Sequence, residues 1–237
     1  LIRLHDRVLG FVSPEEFIPI SESNGKIHEI SEYVIDEVFH FISDHDLEKL
    51  GVEFIEINLS VMQCMDKKLS DKLVFYLNKY NIDPRHINLE ITETATNFDE
   101  QRLREQLQQL KNLGFTFSLD DYGTGYSNIV NLLRYKPNVI KIDRYLITEI
   151  QDDVNKQMFV KNTVEFAEQN NIQCLAEGVE TKEELETVIS YGVDLIQGYY
   201  TAMPSEQVIQ KIDPKIVKEI LEANQIKSDE GGNKSDD

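Results

Sequence analysis

Short apolar segments of strand length alternate along this chain with segments of helical periodicity. That alternation restricts the possible fold more than any other feature. Residues 54–58, 87–91, 115–119, 139–142, 172–176 and 195–197 are apolar and β-branched or aromatic, as strands require. Helical patterns fall between and after them, at 69–80, 100–113, 129–133, 154–170, 182–191 and 205–212. Gly114 and Gly192 stand where the helices of 100–113 and 182–191 must stop. Ahead of this series, Ser13-Pro14-Glu15-Glu16 predicts a helix start, with Ser as N-cap, Pro in the first helical position and Glu at the third. A long amphipathic helix is expected over 27–42, with Ile30, Val34, Val38 and Phe41 on one face. Arg3 and Leu4 close a short apolar start that reads as the end of a strand. Strands that alternate with helices pair in parallel, because the chain must cross over between them. Their number, and the lack of a mid-chain linker, favour one closed βα barrel over two domains.

Charge narrows the function. The formal net charge is −19, which argues against a surface for DNA or RNA polymers, since that needs clustered Lys and Arg. It argues equally against an anionic membrane surface. An anionic substrate stays open if metal cations screen the carboxylates of a site. Cys64 and Cys174 show neither metal-ligand spacing nor a redox motif and read as reduced thiols of a cytosolic protein. The histidines, among them His5, His28 and His86, show no ligand spacing either. No apolar run is long enough to span a bilayer. Beyond Ile226 the composition turns to Ser, Gly, Asp and Lys, which predicts a disordered acidic tail over 226–237 behind an ordered domain of 1–225.

The functional signal is positional. Strand after strand ends in, or carries near its end, a polar or charged residue: Asn58, Glu90, Asp120 with Asp121, Lys141, Glu177 and Gln197. In a βα barrel the C-terminal strand ends converge on the face where active sites lie. Asp120 and Asp121 are adjacent, and adjacent side chains of a strand point to opposite sides, so both reach one site only if the strand ends there. Gly123 and Gly125 then let the chain turn or pass close to a ligand. Lys141 sits inside the apolar run Val139-Ile140-Lys141-Ile142, and a buried ammonium needs a carboxylate partner or loses its proton. Glu56 and Asn88 share strand faces with Asn58 and Glu90 and read as supporting polar groups. Carboxylate and amide oxygens of this kind suit Mg²⁺ or Mn²⁺ better than zinc. The chemistry that fits is hydrolysis of a phosphodiester, with two ions about 3.5–4 Å apart activating water and stabilising the leaving oxygen. A lysine beside them can orient the water or offset developing charge.

In these residues the chain resembles the EAL domain family, the cyclic-di-GMP phosphodiesterases. The matching segments are Leu1-Ile2-Arg3, Phe17-Ile18-Pro19, Asn58-Leu59-Ser60, Leu89-Glu90-Ile91-Thr92-Glu93, Asp120 to Ser127, Lys141-Ile142-Asp143-Arg144, Ala176 to Thr181 and Gln197-Gly198-Tyr199. The resemblance runs from Leu1 to about Pro204. It implies an α/β fold, a modified TIM-type (β/α)8 barrel, with the first strand largely missing from this chain. It implies metal-dependent hydrolysis of cyclic-di-GMP to the linear dinucleotide pGpG, in bacterial signal transduction. The implied metal ligands are Asn58, Glu90 and Asp120 for one ion, and Asp120, Asp121 and Glu177 for a second. Lys141 would contact the nucleophilic water, and Glu177 would be the general base. Glu180 and Gln197 would line the site, with Glu180 among the catalytic residues, and Arg3, Asp121 and Gln197 would contact substrate. Glu93 would anchor the loop that follows Asp120-Asp121. The resemblance further implies a homodimer, an upstream sensory or GGDEF domain, and a cytoplasmic position in a parent protein that could be membrane-attached through an upstream segment.

The family's signature glutamate should stand two residues before Leu1, so this stretch alone is expected to be weak or inactive, while a parent that carries the glutamate is expected to be active. A parent without it would instead be a non-catalytic cyclic-di-GMP receptor or scaffold. On chemistry alone, an enolase-type lyase also uses strand-end carboxylates with a lysine, but that class adds a capping domain for which this chain has no room.

Overall fold

A computed structural model describes residues 2–92, 100–124, 129–205, 208 and 211–232. The chain divides into two compact units, residues 1–91 with 98–116, and residues 92–97 with 117–237.

The first unit opens with a hairpin. Strand β1 (Leu4–Asp6) pairs antiparallel with β2 (Gly10–Val12). Of the short apolar start, Leu4 opens one arm of this hairpin, while Ile2 and Arg3 lie in no strand. Asp6 makes the turn by accepting the N–H groups of Val8 and Leu9 through Oδ1 at 2.7 and 2.9 Å. Helix α1 (Pro14–Ser23) begins where Ser13 predicts, with its hydroxyl accepting the Glu15 N–H at 3.3 Å. Helix α2 (Ile27–Asp44) buries Ile27, Ile35, Phe39 and Ile42. The expected stripe of Ile30, Val34, Val38 and Phe41 is only half-buried, so the helix is rotated about its axis from the face its sequence suggests.

After the short helix α3 (Leu47–Leu50), strand β3 (Ile55–Leu59) leads into helix α4 (Val61–Cys64) and helix α5 (Leu69–Tyr80). Strand β4 (Ile87–Thr92) then pairs parallel with β3, placing Asn58 opposite Glu90. The core of the unit joins Ile57 and Leu59 of β3, Ile87, Leu89 and Ile91 of β4, Phe39 of α2 and Leu73 of α5, all nearly inaccessible. Lys79 and the Tyr80 hydroxyl of α5 both reach Asp36 Oδ1 of α2, at 2.7 and 2.8 Å. Helix α6 (Glu100–Asn112) adds Leu103, Leu107 and Leu110 to the buried apolar set.

The second unit is a run of parallel βα units. Strands β5 (Thr116–Tyr122), β6 (Val139–Ile142), β7 (Gln173–Glu177) and β8 (Leu195–Gln197) pair in chain order. Helix α7 (Ile129–Tyr135) joins the first two. The longer crossover after β6 holds helix α8 (Arg144–Ile147), a 3₁₀ turn at Ile150–Asp152 and helix α9 (Val154–Gln169). Helix α10 (Lys182–Tyr191) precedes β8 and ends at Gly192, as expected. Every residue of β6 is buried, so this strand has an inaccessible side chain on both faces. Parallel strands followed by helices make up the α/β class that the sequence alternation predicts.

Two expectations at the C-terminal end are corrected. Ser205, Val208, Lys211 and Ile212 are not helical, so the described part of 205–212 carries no helix there. A further helix, α11 (Pro214–Gly232), instead packs on α10 and runs past Ile226, where composition predicts no order. Lys215 and Lys218 face Glu219 and Glu222 one turn on, at 3.8 and 3.4 Å, which supports a helix of this polar composition. Cys64 and Cys174 are both free and buried, and burial pushes both thiols up to about 12, which leaves them inert. No helix among the described residues is long and apolar enough to cross a membrane.

Candidate active site

Lys141 is the centre of the site. It lies in β6 with apolar neighbours on either side and is 3% exposed. An ammonium at that depth stays charged only with anions beside it. Its Nζ is 2.9 Å from Glu177 Oε1 and 3.3 Å from Asp120 Oδ1. The strand register explains the meeting. Lys141 is the partner of Leu175, and Glu177, two residues further along β7, projects from the same face.

The adjacent aspartates reach the site by a different route from the one their sequence suggests. Strand β5 does not end at Asp120; it runs on to Tyr122. Its register to β6 passes from Leu119↔Ile140 to Tyr122↔Ile142, so Asp120 and Asp121 together oppose Lys141. Two residues against one is a β-bulge. Asp121 takes up the extra length in the left-handed region, at φ 56. A non-glycine residue there stores strain of about 1–3 kcal/mol, a common feature of functional sites. The bulge is capped from below, where Thr124 donates to the Asp121 carbonyl from both its N–H and its hydroxyl, at 3.3 and 3.0 Å.

The result is an oxygen-rich cluster. One carboxylate oxygen each of Asp120, Asp121 and Glu177 lies within 4.8 Å of the others. Asp120 Oδ1 is buried and accepts no hydrogen bond among the described residues; its approach to Lys141 is electrostatic only. Burial raises the Glu177 carboxyl to about 7, the Asp120 charge adds to the rise, and Lys141 opposes it. Three clustered carboxylates, two of them paired with one ammonium, leave an excess of negative charge. Hard oxygens in that arrangement fit a divalent cation such as Mg²⁺, Mn²⁺ or Ca²⁺.

The segment after β7 is held tightly. Glu177 is paired with Gln197 of β8. Val179 donates to the Gln197 carbonyl at 3.2 Å, and Tyr200 donates to the Val179 carbonyl at 3.0 Å. Gly198 is obligatory under this lattice, because a Cβ there would stand 2.1 Å from the Val179 oxygen. Glu180 does not join the carboxylate cluster; its Oε1 pairs with the Arg144 guanidinium at 2.9 Å. Arg144 in turn crosses Gly178, where a Cβ would meet its Cγ at 2.4 Å and φ is +69.

Of the remaining expected residues, Gln197 ends β8 with an exposed side chain. Asn58 and Glu90 are register partners in the first unit, Glu90 buried and Asn58 exposed. Arg3 is exposed in the same unit and donates to the Ile2 carbonyl at 3.1 Å. Glu93 lies outside the described residues. Sequence reasoning missed Arg144 and Glu184, the latter a buried carboxylate within α10. The signal for Glu184 was present: Thr181-Lys182-Glu183-Glu184 is a capping-box pattern.

Comparison with known proteins gives the chain's relatives. The sequence model of the EAL domain matches residues 1–204. The chain is 32% identical over 215 residues to the bifunctional diguanylate cyclase/cyclic di-GMP phosphodiesterase MucR of Pseudomonas aeruginosa, covering 90% of this chain and 31% of that protein. It spans between a quarter and a third of the length of the curated relatives it matches. The solved PaMucR phosphodiesterase in its c-di-GMP complex is similar with a TM-score of 0.79 at 32% identity, over 88% of this chain and 85% of that one. The calcium and cyclic-di-GMP complex of Klebsiella pneumoniae BlrP1 is similar with a TM-score of 0.66 at 29% identity, over 74% of this chain and 43% of that one.

Proposed function

The chain belongs to the EAL domain family, and we propose that it hydrolyses cyclic-di-GMP to linear pGpG at the Asp120–Asp121–Glu177 cluster with Mg²⁺ or Mn²⁺. The observation that carries this reading is the buried Lys141 held at 2.9 and 3.3 Å by two of the clustered carboxylates. A relative named as a cyclic-di-GMP phosphodiesterase and a related structure with calcium and cyclic-di-GMP support the substrate and the cation.

The donor set fits the cation. Asp120, Asp121 and Glu177 would hold it, and the family resemblance adds Asn58 and Glu90 as ligands and a second ion. A divalent cation bound there supplies Lewis acidity, which makes water more acidic and offsets phosphate charge. The chain's own residues do the rest. The Lys141 ammonium, paired with its carboxylates, would contact the attacking water, as the family resemblance implies. Glu177 would take a proton as general base, the role the family resemblance gives it; the rise of its carboxyl to about 7 belongs to the cation-free site. Arg144 keeps Glu180 at the rim beside Gly178. The family resemblance adds Gln197 and Arg3 as substrate contacts, Arg3 to a phosphate. In the family resemblance Glu93 steadies the loop after the bulge, and the chain works as a homodimeric cytoplasmic domain behind a sensory or GGDEF domain.

The test is release of pGpG from cyclic-di-GMP in Mg²⁺ or Mn²⁺ by the full-length protein that carries this chain. Turnover should be abolished by chelation and fall about 10²–10⁴-fold in Glu177→Ala. Binding of cyclic-di-GMP without any turnover would make the protein a receptor instead.

A further inference from the structure

Glu184 is a carboxylate that neither the cation nor the substrate accounts for. It sits in the first turn of α10 and is 3% exposed. A buried carboxylate is tolerated only when its oxygens are filled. Here Oε2 accepts the N–H groups of Glu180 and Thr181 at 2.8 and 3.0 Å, and Oε1 accepts the N–H of Glu149 at 2.9 Å. The Thr181 hydroxyl accepts the Glu184 N–H at 3.2 Å in return.

A capping box explains only part of this. The reciprocal pair of Thr181 and Glu184 serves the helix end. The bonds to Glu149 and Glu180 do not. Glu149 follows α8, in the crossover that leaves β6, and is held in the left-handed region at φ 55. Glu180 lies in the segment that leaves β7. One carboxylate therefore ties together the chain after the Lys141 strand and the chain after the Glu177 strand. The same two segments meet again through Arg144 and Glu180 at 2.9 Å. Only Gly178 and Val179 separate Glu177 from this clamp, and Val179 is itself fixed by Gln197 and Tyr200.

We propose that Glu184 is a positioning residue: its carboxylate sets the backbone of 177–181 against the crossover at Glu149, and so fixes where Glu177 and Glu180 stand relative to Lys141. The role in catalysis rests on the phosphodiesterase reading; the positioning itself does not.

The experiment compares Glu184→Gln with Thr181→Ala in the full-length protein. Glu184→Gln keeps the size but replaces one acceptor oxygen with an NH₂ group that faces a backbone N–H. Thr181→Ala removes the reciprocal cap bond and leaves all of Glu184's acceptor bonds. Below the melting temperature of both variants, Glu184→Gln should lower kcat at least tenfold with KM changed less than threefold. Thr181→Ala should lower the melting temperature and leave kcat as in the parent. A second readout needs no substrate: the carboxyl ¹³C resonance of Glu177 and the amide resonances of Glu149 and Glu180 should move in Glu184→Gln and stay in Thr181→Ala. If both variants lose stability alike while kcat and the Glu177 resonance stay unchanged, Glu184 is a helix cap and nothing more. If the parent has no turnover but the resonances move, the phosphodiesterase reading fails and the positioning stands.

Discussion

At the scale of single residues, the site is a problem of charge. The buried Lys141 offsets two half-buried carboxylates, and its ammonium is costly without them. Lys141→Met should cost about 3–5 kcal/mol of stability above neutral pH, as removal of one partner from a buried ion pair does. It should also lift the Glu177 carboxyl further, because the lysine now opposes the rise. Thermal melts and a carboxyl titration check both. The pH dependence has a definite sign. Glu177 has a folded value of about 7 against an ordinary 4.5, so in the cation-free protein its contribution is most favourable below 4.5 and is lost as pH rises through 7. Melts in a chelator should therefore show this loss between about pH 4.5 and 7. Mg²⁺ should reverse it, binding more tightly as the proton leaves. Much of this was legible in the sequence: a lysine in an apolar strand demands an anion, and the paired aspartates announce one. The route of the second aspartate was not. The bulge at Asp121 comes from a register shift between β5 and β6, which no local pattern encodes. Glu184 was hidden for the opposite reason, since its cap pattern is common and its bond to Glu149 is made between residues far apart in sequence.

At the scale of elements, strand ends deliver the chemistry and backbone contacts hold it still. The turn after β8 lies directly against Val179, so Gly198→Ala must displace backbone rather than a side chain. It should destabilise the protein by about 1–3 kcal/mol, as overpacking does. It should also lower turnover, because Gln197 and the segment of Glu177 move with it; melts and steady-state kinetics on one preparation check this. Strands and long helices were readable because their periodicities are strong, and Ser13, Gly114 and Gly192 mark their ends. The hairpin of β1 and β2 was not, since two three-residue strands carry too little pattern to register. The facing of α2 was misjudged because its apolar stripe is wide, and packing against β3 and α5 chose Ile35, Phe39 and Ile42 from it. Helix α11 escaped notice because its sequence is polar; what holds it is α10 on one side, and the Tyr200 hydroxyl donating to Glu219 at 2.5 Å.

At the scale of the whole molecule, the alternation of strand and helix was enough to give the α/β class, and the ordered series of motifs was enough to give the family. The division into two compact units was not visible, because no linker composition marks it. The net charge of −19 is consistent with the proposed reading, in which cations rather than a basic surface offset the charge of the substrate. The claim on which the account stands is that Asp120, Asp121 and Glu177 hold a divalent cation beside Lys141. Anomalous scattering from crystals of the protein grown with Mn²⁺ tests it most directly. The account expects a peak within bonding distance of all three carboxylates, about 2.0–2.3 Å for oxygen ligands, and its loss in Asp120→Asn. Crystals saturated with Mn²⁺ that show no peak there, with Lys141 still paired to both acids, would contradict it.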